Sequence, residues 1–451
     1  MVIANGLFMS QLPSKCILML LDGLADRSHE SLGWRTPLQT ALTPNLDRLA
    51  KEGACGYFHA LNPGLALPSE AAHFFLMGYG PNQFPGRGYL EALGFGLDLL
   101  PDEVALLAHL AMLRPKGAQL LLQERKPKLD DSLANELFTA VGDYHNPQGT
   151  ASLKRTKGSS GIVILKGAGL SRWITDSDPL IPGQPLLKPL PWAGQKDDLE
   201  TRRTASLLSA YLIHTHQTLA RHPLNLARTE QGLAPVNGLV TQRAGKAVNL
   251  EPVSMRWGLK VLSISSAPIY KGVFKALGAA AELLPEDDDP GRDLANKLEA
   301  ALDRLDDFDF VHVHSKAPDE AAHTKNPAAK AEVIQALDEG LAGLLQAKEA
   351  REDLLIVVTG DHATPSSGDM VHSGENSPLL LNGSGVWRDA VQGFDEVQCA
   401  SGSLGLLRGP ELMQTILNHL DRAKLWGMRD HPQDLPYYPG PREPLLLPKK
   451  N

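Results

Sequence analysis

The side chains in this chain best suited to chemistry are acids and histidines that follow short apolar runs. The run CILMLLDG ends in Asp22, DFVHVHS leads into APDEAAH with Asp319 and His323, and LLIVVTGDH delivers Asp361 and His362, with His372 in the loop beyond. Carboxylate oxygens combined with imidazole nitrogens suit Zn²⁺ or Mn²⁺ better than Ca²⁺. Asp319 and His323 are four residues apart, so on a helical turn they share one face and can hold one cation. The adjacent Asp361 and His362 point in different directions and can serve a second ion or bridge to it. Two neighbouring cations clamp the attacking and leaving oxygens of a phosphoryl group.

Such a site needs a nucleophile, and Ser69 in ALPSEAAHFFLMG is the candidate. The segment reads as a helix start, where backbone N–H groups and the helix dipole favour a phosphate. Cation binding would lower the pKa of the serine hydroxyl. Each residue also has a plainer reading. Ser69 could be an N-cap, Asp22 before Gly23 a turn aspartate, His323, His362 and His372 surface or loop histidines, and His312 and His314 structural side chains of their strand. The plainer readings would have to hold independently at three strand ends, and that favours the two-metal reading.

The elements that must position these residues read as an α/β fold. Strands are predicted at 16–23, 161–167, 238–243, 259–266, 309–315 and 354–360, several of them unalternating as buried parallel strands should be. Helical spacing runs over TPNLDRLAKEGA and, most regularly, AAKAEVIQALDEGLAGLLQAKEA. Proline and glycine gather near 179–195, read as a loop or linker, and in the tail HPQDLPYYPGPREPLLLPKK. In open parallel sheets ligands gather outside the carboxyl ends of strands, which is where these acids and histidines fall.

Composition limits the alternatives. The 451 residues are 43% hydrophobic and 21% charged, enough for one large domain with an insertion or for two domains. A net charge of −8 offers no basic field for nucleic acid, and no apolar run is long enough for a membrane span. The N-terminal MVIANGLFMSQLPSKC has no secretory pattern, and three cysteines are too few for a disulfide framework, so a cytoplasmic location is expected. Oligomeric state is not legible.

The ordered series LLDGLADR, TPLQTALTPNLDRLAKEGACG, PSEAAHFFLMGYGP, GRGYLEALGFGLDL, ITDSDP, HSKAPDEAAH, VVTGDHATPSSGDMVHSG and LGLLRGPELM resembles the alkaline phosphatase superfamily. Within it the chain is similar to the archaeal-type, 2,3-bisphosphoglycerate-independent phosphoglycerate mutases, over roughly residues 16 to 413. The resemblance implies an alkaline-phosphatase-like, mostly parallel sheet flanked by helices, formed by residues 1–100 and 236–451, with a smaller inserted α/β domain at 101–235 that caps the substrate. It assigns Asp319, His323 and His372 to one metal, and Asp22, Asp361, His362 and the Ser69 oxygen to the other. It further implies two divalent ions (Mn²⁺, Zn²⁺ or Mg²⁺), no organic cofactor, a small phosphorylated substrate and a phosphoserine mechanism. Through it 3-phosphoglycerate becomes 2-phosphoglycerate, a glycolytic isomerisation.

The basic residues of the insert depart from the family's pattern. An arginine-rich stretch and a His-Arg pair are expected before the ILKG strand, where this chain has LLLQERKPKLDD and TKGSSGIVILKG, with Ser159 and Ser160 in place of the pair. Arg125, Lys126 and Lys128 substitute in part, although lysine lacks the planar fork of arginine. Arg87, Arg243, Lys271 and Lys316 are the remaining candidates for substrate anion contacts. A metal-dependent phosphatase or phosphodiesterase acting on another phosphorylated metabolite is therefore the alternative, and a catalytically silent metal-binding protein a third reading.

Overall fold

The computed structural model describes residues 12–423 and 444–447. Most of the N-terminal stretch and of the proline-rich tail discussed above lies outside these residues. The chain divides into two compact units, Met1–Asn82 with Glu251–Asn451, and Gln83–Leu250. In chain order, β1 (Lys15–Leu21) and β2 (Ala54–His59) precede β3 (Val104–Lys116), β4 (Gln119–Arg125), β5 (Tyr144–Asn146), β6 (Gly149–Arg155), β7 (Ser160–Lys166) and β8 (Gly238–Lys246). They are followed by β9 (Val261–Ser265), β10 (Ala280–Leu283), β11 (Phe310–Ser315), β12 (Leu354–Thr359), β13 (Ser377–Asn382) and β14 (Gly405–Arg408).

The first unit is built on an eight-stranded sheet ordered β10-β9-β11-β1-β12-β13-β2-β14, in which only β13 runs against the rest. The central strands β11, β1 and β12 are covered on both faces, which is why their sequences do not alternate. Ile17, Met19, Val311, Val313, Ile356 and Val358 pack with Leu294, Leu298, Ile334 and Leu337 of the helices Pro290–Arg304 and Pro327–Glu339. Each such aliphatic side chain contributes about 1.5–3 kcal/mol on burial. Leu20 pairs with both His314 and Thr359, so the carboxyl ends of all three strands stand level.

The helical pattern expected over 328–350 resolves into two helices, Pro327–Glu339 and Ala342–Ala350. The break follows Asp338, whose carboxylate accepts hydrogen bonds from the N–H groups of Asn45 and Leu46. At Gly340 a Cβ would lie 2.4 Å from the Gly291 carbonyl oxygen, so the helices meet only because the position is glycine.

The second unit holds an antiparallel sheet ordered β4-β3-β7-β6-β5, with β8 also paired to β3. Its core joins Val104, Leu106, Val163 and Leu165 to Leu137 and Leu208 of the helices Asp131–Val141 and Leu199–Ala220. The unit limits fall at 82/83 and 250/251, outside the expected 100/101 and 235/236. Two elements account for the difference: β8 completes this sheet rather than the first, and the helix Arg87–Gly94 packs on β3 and β8, with Gly88 against the Ala105 carbonyl. Residues 179–195 contain no α-helix or strand and are tied by bridges from Pro185 to Leu121 and from Pro191 to Ile174. Among the described residues no helix is long and apolar enough to cross a membrane. Cys16, Cys55 and Cys399 are free and buried.

Candidate metal centre

Asp22 leaves the end of β1 through Gly23, whose φ is +65°. A Cβ at position 23 would stand 2.5 Å from Thr364 Oγ1 and 2.9 Å from Asp319 Cβ, so glycine is required by both conformation and space. Asp319 and His323 lie on the helix Ala317–His323 after β11, and Asp361 and His362 follow β12 directly. Ser69 is the first residue of the helix Ser69–Leu76; the N-cap is Pro68, so the serine is not spent on capping. Its Oγ lies 3.0 Å from His362 Nε2 and 3.5 Å from Asp22 Oδ1.

Hydrogen bonds fix which atoms remain for a ligand. Asp22 Oδ2 accepts from the Tyr270 hydroxyl (2.7 Å), His314 Nε2 (3.1 Å) and Lys316 Nζ (3.5 Å). Its Oδ1 instead faces Ser69 and lies 3.3 Å from His362 Nε2. Asp361 Oδ1 accepts from the N–H groups of Gly23 and His362, while its buried Oδ2 has no hydrogen-bond partner. Asp319 accepts from the Thr364 hydroxyl at 2.8 Å and from Lys316 Nζ at 2.9 Å.

The two loop histidines are oriented in the same way. His372 Nδ1 lies 2.7 Å from the Leu67 carbonyl, which can only accept, so Nδ1 carries the hydrogen. The Thr364 hydroxyl donates to Asp319, so at 3.2 Å it accepts from His362 Nδ1–H. In the neutral rings both Nε2 atoms are then bare and face carboxylates: His372 lies 3.5 Å from Asp319 Oδ1, and His362 lies 3.3 Å from Asp22 Oδ1 and from Asp361 Oδ2. Lone pairs aimed at anionic oxygens repel unless a proton or a metal cation stands between them, and in the metal-free fold burial is outweighed by the Asp319 carboxylate, which raises the pKa of His372. An Nδ1–H held by a carbonyl or hydroxyl is the usual arrangement behind a metal-binding imidazole.

Two donor groups result, Asp319 with His362 and His372, and Asp22 with Asp361 and His362, each with its ligand atoms within 4.8 Å of one another. His362 thus reaches both groups. His323 is not in either; its Nε2 lies 3.2 Å from Asp319 Oδ2, with the side chain 38% exposed at the rim. The electrostatics agree with an anionic centre. Burial opposes the charge on Asp22, but Lys316, the His314 hydrogen bond and His362 hold its carboxyl well below the usual range. Burial likewise opposes charge on Asp319, yet the His372 hydrogen bond and Lys316 keep it low. Burial also disfavours the Lys316 ammonium, but Asp22 and Asp319 outweigh it and raise its pKa. One lysine leaves an excess of negative charge among three buried carboxylates, and this donor set fits divalent cations.

The sequence singled out neither Tyr270 nor Thr364, and it took His314 as structural although that ring donates to Asp22. The pattern FVHVHS held the one usable signal, because alternation places His312 and His314 on the same face of β11, level with Leu18 and Leu20 of β1. The other expected contacts separate by unit. Lys316 lies against Asp22 and Asp319, and Lys271 is on the helix Pro268–Ala276.

Arg87 and Arg243 line a cavity of about 260 Å³ in the second unit with Arg125, Lys126, His109 and Ser160. Arg125 pairs with Asp178 at 2.5 Å, and Lys128 does not line the cavity. Arg243 sits beside a register shift between β3 and β8 with a φ of 52°, its N–H held by Asp176 at 2.7 Å. Burial, with Lys126, Arg125 and Arg87 alongside, pushes the pKa of His109 down to about 3.

The sequence profile of the Metalloenzyme superfamily matches residues 14–419. A 2,3-bisphosphoglycerate-independent phosphoglycerate mutase of Methanocaldococcus jannaschii is 35% identical over 446 residues, covering 96% of this chain and 99% of the relative. The enzyme of that name from Methanopyrus kandleri is 34% identical over 92% of this chain and 99% of its own length. Among solved structures, a Pyrococcus horikoshii protein superposes with a TM-score of 0.74 at 28% identity, over 93% of this chain and all of that one. The cofactor-independent phosphoglycerate mutase of Thermoplasma acidophilum superposes with a TM-score of 0.65 at 30% identity, over 90% of this chain and 99% of its own. The chain belongs to the 2,3-bisphosphoglycerate-independent phosphoglycerate mutase family of the Metalloenzyme superfamily.

Proposed function

We propose that this protein interconverts 3-phosphoglycerate and 2-phosphoglycerate by phosphoryl transfer through Ser69. The observation that carries the reading is the set of converging donor atoms, Asp22 Oδ1, His362 Nε2 and the unpartnered Asp361 Oδ2, gathered about the Ser69 hydroxyl. Asp319, His372 and His323 would hold one ion, and Asp22, Asp361 and Ser69 the other, with His362 in reach of both. Mixed oxygen and nitrogen donors favour Mn²⁺ or Zn²⁺ over Mg²⁺. Bound there, such ions would neutralise phosphoryl oxygens and lower the pKa of the serine hydroxyl.

Ser69 Oγ loses its proton and forms a bond to phosphorus as the bond to the substrate's C3 oxygen breaks, and that oxygen takes up a proton in exchange. The glycerate then turns, its C2 oxygen loses its proton and forms the new bond to phosphorus, and Ser69 Oγ is released and regains a proton. Lys316 would offer its ammonium to the phosphoryl oxygens, and the helix beginning at Ser69 adds its positive end. The cavity lined by Arg87 and Arg243 suits a carboxylate or phosphate, so the substitution of Ser159 and Ser160 for the family's basic pair leaves a basic pocket.

The reading is tested by acid-quenching the Mn²⁺-loaded protein after exposure to 3-phosphoglycerate labelled in its phosphate. Label should appear on the peptide containing Ser69 and be absent from Ser69→Ala, which still binds Mn²⁺. Turnover by Ser69→Ala, or label on another residue, would overturn it.

A further inference from the structure

Behind the donor atoms lies a buried ion pair that no step of the reaction uses. Lys330, on the helix Pro327–Glu339, is fully buried, and its ammonium has three acceptors: the Asp26 carboxylate (3.1 Å) and the carbonyls of Ala25 (3.1 Å) and Thr364 (2.9 Å). Asp26 in turn accepts from the N–H and hydroxyl of Ser366, the latter at 2.7 Å, and from His29 at 3.0 Å. Ala25 and Thr364 are also joined directly, the Thr364 N–H donating to the Ala25 carbonyl at 3.0 Å.

Each anchored residue stands close to donor atoms. Ala25 is three residues after Asp22, and Thr364 is two after His362 and donates to Asp319. The Ala363 carbonyl accepts from the N–H of Ser373, the neighbour of His372. We infer that Lys330 and Asp26 are positioning residues, a clamp that fixes the turn after β1 against the loop after β12 and so sets the spacing of Asp22, Asp361, His362 and His372. An ion pair this deeply buried is a poor device for stability alone, because apolar replacements of similar volume are often neutral or stabilising. It is, however, a directional one: three N–H vectors fix two backbone carbonyls and a carboxylate at once, which a leucine cannot do.

This inference rests on the metal reading above, and the test separates the two. Mn²⁺ is titrated calorimetrically into metal-free wild type, the double variant Lys330→Met/Asp26→Leu, and Ser366→Ala, which loses only one hydroxyl. Thermal unfolding of each metal-free protein and steady-state kcat and KM are measured alongside. The double variant leaves Ser366, His29 and two carbonyls without these partners and should melt lower, while its Mn²⁺ affinity falls about 10–100-fold and kcat falls with little change in KM. Ser366→Ala should lose affinity several-fold with a melting point only a few degrees lower. If wild type binds no Mn²⁺, the metal reading fails. If wild type binds and Ser366→Ala and any folded double variant bind equally well, the clamp is refuted. Should the double variant not fold, Ser366→Ala decides alone.

Discussion

Replacing Gly23 with alanine tests whether the turn after β1 is as closely fitted to the centre as its geometry indicates. At a φ of +65° a residue with a Cβ costs about 1–2 kcal/mol relative to glycine. The new methyl would start 2.5 Å from Thr364 Oγ1 and 2.9 Å from Asp319 Cβ, and neither can yield freely, because Thr364 is hydrogen-bonded to Asp319 and His362. Overpacking of this kind costs a further 1–3 kcal/mol or so, giving a total of about 2–5 kcal/mol. At about 2.1 cal/mol/K of unfolding entropy per residue, a unit of roughly 280 residues shifts by about 1.7 °C per kcal/mol, so the metal-free melting point should fall by about 3–9 °C. Because Asp319 and the Thr364 that orients His362 must both move, Mn²⁺ affinity should fall by about 10–100-fold as well. Differential scanning calorimetry and isothermal titration measure the two effects separately. A Gly23→Ala protein that melts and binds Mn²⁺ like wild type would show that the turn has slack the geometry denies.

Three further outcomes are expected. Treatment with EDTA should abolish turnover and lower the melting point, and Mn²⁺ or Zn²⁺ should restore both, the melting point rising with the logarithm of free metal; an indifferent enzyme would count against the centre. Arg87→Ala should lower kcat/KM about 10–100-fold, the range of a lost hydrogen bond to a charged group, with Mn²⁺ affinity unchanged in titration. His109 titrates at about 3 in the fold against roughly 6.5 in an unfolded chain, so the unfolded state binds the extra proton between those values. Its stabilising effect is therefore complete above about pH 6.5 and is lost as pH falls towards 3, and the melting point of His109→Asn should drop less than that of wild type between about pH 7 and 5. Equal drops would refute the depressed value.

The candidate centre was legible because parallel sheets place ligands at strand ends: β1 and β12 are apolar runs followed within two residues by Asp22 and Asp361, and Asp319 lies four residues past the end of β11. What supports those acids was less so. Tyr270 sits in an apolar helix, PIYKGVFKA, where an aromatic residue reads as core, and only the fold shows its hydroxyl reaching Asp22. Lys330 lies in a charged, regular helical pattern that suggests a solvated face, yet it is completely buried. The unit limits depend on β8 pairing with β3 across more than a hundred residues, a non-local choice that no local pattern in GLVTQR records. The close approach of Gly340 to the Gly291 carbonyl of another helix is likewise a non-local contact.

The central claim, that Ser69 passes a phosphoryl group between two hydroxyls of one bound glycerate, is tested most directly by one assay. The Mn²⁺-loaded protein is incubated with 3-phosphoglycerate, and 2-phosphoglycerate and free phosphate are measured together over time. 2-Phosphoglycerate should approach equilibrium with little phosphate released, and Ser69→Ala should give neither product. Phosphate accumulating without the isomer would make the protein a phosphatase and contradict this claim.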